Sequence, residues 1–173
     1  MSNHDSVPTG ATGLSHVDAD GTARMVDVTS KPSTVRTAKA TGFVRMAPAT
    51  VELLRKQALP KGDVLTVARI AGIQAAKRCG DWIPLCHPLP LTDLQVSFTV
   101  LENAVRIDTV ARCIGPTGVE MEALTAVTAA ALTVVDMCKA VDKEMVLDGI
   151  RVVEKTGGSK GDWNVSEASD ASI

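Results

Sequence analysis

One stretch constrains this chain more than any other: residues 115–140, GPTGVEMEALTAVTAAALTVVDMCKA. Gly115-Pro116 breaks whatever precedes it, and Thr117 followed by Glu120 has the spacing of a capping box. Leu124, Val127, Ala131, Val134 and Val135 recur at helical spacing. Ala123, Ala126, Ala129 and Ala130 fill most of the remaining positions, so nearly the whole girdle is fit for burial. A helix that is apolar all round must be covered all round. The spacing predicts a helix from about Thr117 to Ala140, with a sheet on one side and, in so short a chain, a partner subunit on another.

Composition excludes several classes. The chain has 173 residues and a formal net charge of −2, with two Trp, two Phe and no Tyr. It can bury one real core, built from aliphatic side chains and Met. A sequence-independent nucleic-acid binder would want stacking aromatics and a basic excess, and neither is present. The four cysteines (Cys79, Cys86, Cys113, Cys138) form no CxxC pair, which predicts reduced thiols and a cytoplasmic location. The apolar run from Ala123 to Val135 is too short and too rich in Thr to span a bilayer.

The chain divides into a disordered segment (residues 1–13), a single domain (14–163) and a loose tail (164–173). Val17 to Gly21 reads as a turn, Ala23 to Val28 as a short strand, and Val35 to Met46 as a strand with a bulge at Gly42. Pro48 opens a helix with Val51, Leu53, Leu54 and Leu59 inward. Asp63 caps a second, Val64 to about Arg78, with Leu65, Ala68, Ile70, Ala71 and Ala75 inward and Gly72 marking a close helix contact. Gly80 to Pro90 is a proline-punctuated loop. Leu94–Leu101 and Ala104–Cys113 alternate as a β-hairpin. Met145–Glu154 is a last strand, and a glycine-rich basic tail follows. The order predicts an α+β fold: ferredoxin-like β-α-β-β-α-β, an antiparallel sheet packed against helices, with an enlarged first crossover.

The charged residues each have an ordinary explanation. Glu120 and Glu122 suit the start of a helix and Lys139 its end. Asp136 and Lys139, three apart, share a face. Lys61 is a loop lysine of the solvated kind. His87 sits between Pro84 and Pro88, in a loop of fixed backbone. Cys86-His87 lacks the spacing of a metal site. Lys155, Gly157, Gly158 and Lys160 resemble a phosphate cradle in composition but not the P-loop pattern. Taken together they offer cations for a polyphosphate and a carboxylate–lysine pair for proton transfer.

Four blocks carry a resemblance: MVDVTSK (Met25–Lys31), KGDVLTVARIAGIQAAKRCGDWIPLCHPLPL (Lys61–Leu91), TGVEMEALTAVTAAALTVVDMCKA (Thr117–Ala140) and KTGGSKGDW (Lys155–Trp163). In this order they resemble the cyclic pyranopterin monophosphate synthase family, MoaC, of molybdenum cofactor biosynthesis. The resemblance runs from about Leu14 to Trp163. It implies a lyase that rearranges 3′,8-cyclo-7,8-dihydro-GTP into cyclic pyranopterin monophosphate and releases pyrophosphate. It implies Asp136 as the central acid/base residue with Lys139 as partner, and Lys61 and His87 beside them in catalysis. Leu85, Cys86, His87, Met121 and Glu122 would line the substrate pocket. Glu120 and Lys155 would complete the set, with Lys31 and Arg36 as phosphate contacts. The family tail usually reads GGKSG, whereas Ser159 and Lys160 stand in the opposite order here. No cofactor is required by the sequence; Mg²⁺ is admitted with the triphosphate, and no dedicated metal site is visible.

Helix geometry adds a constraint. Glu122 and Asp136 are fourteen residues apart, about 21 Å along a helix axis, too far to touch one small ring system. Either Glu122 precedes the helix proper or the pocket is assembled from two subunits. The second is the expectation, in line with the family's hexamer built from dimers, a homo-oligomer with its sites at a subunit interface. No nucleic acid and no membrane enter as partners; the partner is a nucleotide-derived small molecule. Close contact and partial burial are expected to bring the Asp136 and Lys139 pKa values toward neutrality. The alternative function is a non-catalytic nucleotide-binding or scaffold module of the same fold.

Overall fold

The protein's structure, a computed structural model, describes residues 21–159 and 161–165. The segment 1–13, most of the turn expected at Val17 to Gly21, Lys160 and residues 166–173 lie outside the described residues. Along the chain come β1 (Thr34–Arg45), α1 (Pro48–Arg55), α2 (Val64–Ala76), α3 (Cys79–Trp82), β2 (Leu91–Val100), β3 (Ala104–Gly115), α4 (Glu120–Cys138), β4 (Val146–Thr156) and β5 (Trp163–Asn164). The strands form one sheet in the order β2-β3-β1-β4-β5, every neighbouring pair antiparallel. The first four strands have the ferredoxin-like arrangement, with three helices filling the first crossover. β5, read from the sequence as tail, adds a short edge strand.

β1 lies at the centre of the sheet. Its register against β4 slips between Thr41 and Phe43, at the expected bulge. Gly42 is required there: a Cβ would stand 2.7 Å from Val127 Cγ1 and 2.8 Å from Ile150 Cγ1. The bulge lets β1 pass directly beneath α4.

Most of the apolar girdle of α4 is buried within the chain, but a stripe through Leu124, Leu132 and Val135 is not, Leu132 being 49% exposed. Thr109 Oγ1 of β3 donates to the Ala123 carbonyl at 2.9 Å, which ties one side to the sheet. On the other side lies α2, brought close by Gly72, where a Cβ would stand 2.9 Å from the Ala126 carbonyl oxygen. The second cover is therefore α2, and the stripe at Leu132 is left open. Val127 and Val134, fully covered, each contribute roughly 1.5–3 kcal/mol of burial. α4 has 19 residues and a mean hydropathy of 1.5, the length and composition of a bilayer span; the fold uses it as the central core helix. The 123–135 run read from the sequence is shorter than the helix.

Several local expectations change. The capping box does not form: α4 begins at Glu120, with Val119 as N-cap and no side-chain cap. Ala23–Val28 is not a strand; only Ala23 makes an isolated bridge. Ile70 is 52% exposed, because α2 meets α4 through the small residues Ala68, Gly72 and Ala75 and turns Ile70 outward. Asp63 does cap α2, accepting from Thr66 N at 3.1 Å. The start of α1 is capped from far along the chain: Asp142 Oδ2 accepts from Ala47 N at 2.9 Å and from Thr50 Oγ1 at 3.0 Å.

Candidate active site

The two ends of α4 carry two clusters. At its N-terminal end a cavity of about 350 Å³ opens between five segments. The first turn of α4 supplies Glu120, Met121 and Glu122, and the proline-bounded loop supplies Leu85, Cys86 and His87. Lys31 arrives from the segment before β1, Arg36 from β1 itself, and Lys155 from the end of β4. Nine of the twelve residues singled out from the sequence thus meet in one place. Val26, Leu89, Pro116 to Gly118 and Ser159 complete the wall.

Arg36 fixes the base of the cavity. It is 9% exposed, and its guanidinium donates to the Gly115 and Pro116 carbonyls at 3.2 and 3.3 Å. Gly157 and Gly158 cross directly over it, both at positive φ. A Cβ on Gly158 would overlap Arg36 Nη1, and one on Gly157 would overlap the Val35 carbonyl. These glycines serve a close approach to arginine. The Gly157 N–H, which a phosphate cradle would use, donates instead to Asp162 Oδ1 at 2.7 Å. Lys155 Nζ leans on the Gly161 carbonyl at 3.3 Å.

The opposite wall is acidic and dry. Glu122 is 3% exposed, and burial pushes its carboxyl above the usual range. It contacts the Cys79 thiol, itself pushed up to about 12 by burial. Burial also raises the Cys86 thiol, so neither cysteine is a ready nucleophile. His87 Nε2 donates to the Val26 carbonyl at 2.8 Å. Sequence reasoning missed Val26 and Cys79, because their contacts are made through space with residues of no marked spacing.

The second cluster stands at the C-terminal end of α4. Asp136 Oδ1 is 2.6 Å from Lys139 Nζ, and its Oδ2 is 2.7 Å from Lys61 Nζ. Lys61 also donates to the Asp136 carbonyl at 3.0 Å. The loop lysine is therefore anchored, not merely solvated. The two ammonium groups, Lys139 first and Lys61 second, hold the Asp136 carboxyl down to about 2. That runs against the expected drift toward neutrality, and the reason is exposure: all three side chains are open to water.

Glu120 is the first residue of α4, so Glu122 does not precede the helix, and within one chain the clusters remain about 21 Å apart. Among the described residues no group of three or more His, Cys, Asp or Glu side chains could hold a metal ion. Lys31, Arg36 and Lys155 give the cavity a cationic side, which suits phosphate oxygens.

The sequence pattern of the MoaC family matches residues 25–158, a span that holds both clusters. The cyclic pyranopterin monophosphate synthase of Corynebacterium glutamicum is 61% identical over 152 residues, covering 88% of this chain and 97% of its own. Those of Chloroflexus aggregans and Streptomyces coelicolor are 58% and 57% identical, covering 90% and 88% of this chain and 95% and 90% of their own. Matched at this identity across nearly the whole described fold and both ends of α4, the chain belongs to the MoaC family.

Proposed function

We propose that this chain converts 3′,8-cyclo-7,8-dihydro-GTP to cyclic pyranopterin monophosphate with release of pyrophosphate, a lyase step of molybdenum cofactor biosynthesis. The observation that carries the reading is the division of labour along α4. One end holds a cavity of about 350 Å³ with cations on one side and a buried carboxyl on the other. The other end holds a carboxylate clasped by two lysines.

In this reading Lys31, Arg36 and Lys155 face the phosphates, and the lysines balance the charge of the departing pyrophosphate. Mg²⁺ is admitted only as a companion of the triphosphate, and no step passes through it. Glu122, whose carboxyl burial pushes above the usual range, faces the purine-derived ring as a hydrogen-bonding group. Asp136 enters as a carboxylate and accepts a proton; Lys139 and Lys61 are the donors on either side of it.

The clusters act on one substrate only if two copies of the chain share a site. We therefore place the His87–Glu122 end of one copy against the Asp136–Lys139 end of another, in a homo-oligomer of the trimer-of-dimers kind. Exposed Val67, Ile70 and Leu132 supply apolar surface for association. Docking there would withdraw the clasp from water and move Asp136 back toward neutrality.

Anaerobic incubation with the cyclised GTP derivative tests the activity, reading pterin fluorescence after oxidation and pyrophosphate in parallel. Wild type should form both products and folded Asp136→Ala neither; absence of both in wild type would end the proposal. Mixing Asp136→Ala chains with His87→Ala chains tests the shared site. Activity should return in mixtures that exchange subunits, and none returns if each chain works alone.

A further inference from the structure

We infer that the two nitrogens of His87 have separate tasks: Nε2–H latches the segment that carries Lys31, and Nδ1 is left as an unprotonated acceptor facing the cavity. The inference rests on the proposed function for what Nδ1 does, but not for the state of the ring.

His87 Nε2 lies 2.8 Å from the Val26 carbonyl oxygen. A backbone carbonyl can only accept, so Nε2 must carry the proton. In the neutral ring Nδ1 is then the acceptor, and the tautomer is set by the backbone of another segment. Nδ1 has no hydrogen-bond partner among the described residues, and His87 and Val26 both line the cavity. In the neutral ring we place the Nδ1 lone pair toward whatever occupies that space.

The same bond has a second consequence. Residues 25–31 form no strand pairing of their own; they are held locally by Lys31 N to the Val28 carbonyl at 3.0 Å and Thr29 N to Asp27 Oδ1 at 2.9 Å. The Nε2–Val26 bond pins this strap against the proline-bounded loop, five residues before Lys31. Losing it frees Lys31 from the cavity mouth. Val26 is thus a positioning residue acting through its carbonyl, and no side-chain replacement at 26 removes it.

Two substitutions separate the tasks. The amide of Gln reaches the place of Nε2 and can keep the latch without offering Nδ1. The amide of Asn lies near Nδ1 and cannot reach Val26. The direct test is nitrogen-15 NMR of histidine-labelled full-length protein at a pH where the ring is neutral, with His87→Gln used to assign the signal. A protonated Nε2 beside an unprotonated Nδ1 is expected. A protonated Nδ1, or averaging of both tautomers, overturns the inference. Hydrogen exchange across Met25–Lys31 is the second test. His87→Gln should stay within about twofold of wild type, and His87→Asn should exchange about fivefold faster, the loss of one ordinary hydrogen bond. Equal exchange in both variants refutes the latch. Neither readout depends on turnover, so an inactive protein with a fixed tautomer would defeat the functional reading and leave this one standing.

Discussion

Gly158→Ala is the sharpest probe of how the cavity is built. Gly158 has φ +89° and sits on the Arg36 guanidinium. A left-handed backbone costs an L-residue about 1–2 kcal/mol. The added Cβ would overlap Arg36 Nη1, so either the arginine or the tail must move. Moving the guanidinium breaks two hydrogen bonds from a charged donor, at 3.2 and 3.3 Å, worth about 1.5–3 kcal/mol each. Moving the tail breaks the Gly157–Asp162 bond and strains β5, a strand of two residues. The tail is the cheaper response, at roughly 1–3 kcal/mol in all. The predicted fall in Tm is therefore about 2–10 °C. The larger effect is on binding, since the displaced tail carries Ser159 away and loosens Lys155. Removing one charge-assisted hydrogen bond to phosphate raises KM by roughly 10- to 100-fold. Steady-state kinetics and limited proteolysis between Lys155 and Asp162 read both effects. In Arg36→Ala/Gly158→Ala the clash is gone, so the two losses should not add. Wild-type KM with an unchanged digestion pattern in Gly158→Ala would refute the seat, as would strict additivity in the double variant.

Four further outcomes follow from other parts of the structure. Asp136→Asn should lower kcat by about 10²- to 10⁴-fold and lower Tm slightly near neutral pH, where the effect of this exposed carboxylate is in place. Because the Asp136 carboxyl is held down to about 2, its stabilising effect is complete above its ordinary pKa and lost as pH falls toward 2; acid-denaturation curves of this variant should lack that component. Glu122 shifts the other way, so wild type should lose stability as pH rises from the ordinary Glu value toward the raised native one, and Glu122→Gln should not, as thermal melts across pH will show. Gly72→Ala places a Cβ 2.9 Å from the Ala126 carbonyl and should cost about 1–3 kcal/mol in denaturant titration, without altering kcat of the folded protein. A thiol reagent should reach Cys86 alone in the native protein, slowly, and all four cysteines in denaturant, since Cys79, Cys113 and Cys138 are buried.

What could be read from the sequence was whatever depends on local period or local spacing. The hairpin, the bulge at Gly42, the Asp63 cap, the Gly72 contact and α4 all follow from patterns within about twenty residues. The β order came from counting elements, and the cluster set from motif blocks. Errors arose where one pattern admitted two packings. Thr117 and Glu120 have capping-box spacing, but Gly118 lets Glu120 fold back, so the helix starts at Glu120 itself. Ile70 continues the apolar stripe of α2, yet α2 turns Ala68, Gly72 and Ala75 inward and leaves Ile70 outside. Long-range polar contacts carried no signal: nothing near Asp142 says that it will cap a helix 92 residues away, and nothing near Val26 says that its carbonyl will set a histidine's tautomer.

The clasp at Asp136 is the clearest case of a structure that local reasoning explains wrongly. Lys139 near the end of a helix suits the dipole, Lys61 in a loop suits water, and an i,i+3 pair suits the surface. Each account predicts independent residues of small consequence. Instead Lys61 and Lys139 take one carboxylate oxygen each, although exposed ion pairs stabilise a fold little. Holding long side chains in one geometry also costs rotamer entropy. Stability does not account for the arrangement, and the cavity at the other end of α4 does not include it. For a group proposed to move protons, an open setting 21 Å or so from the cavity fits the proposed shared site, in which a second surface closes over it. The proposed shared site depends on α4 being one unbroken helix from Glu120 to Cys138.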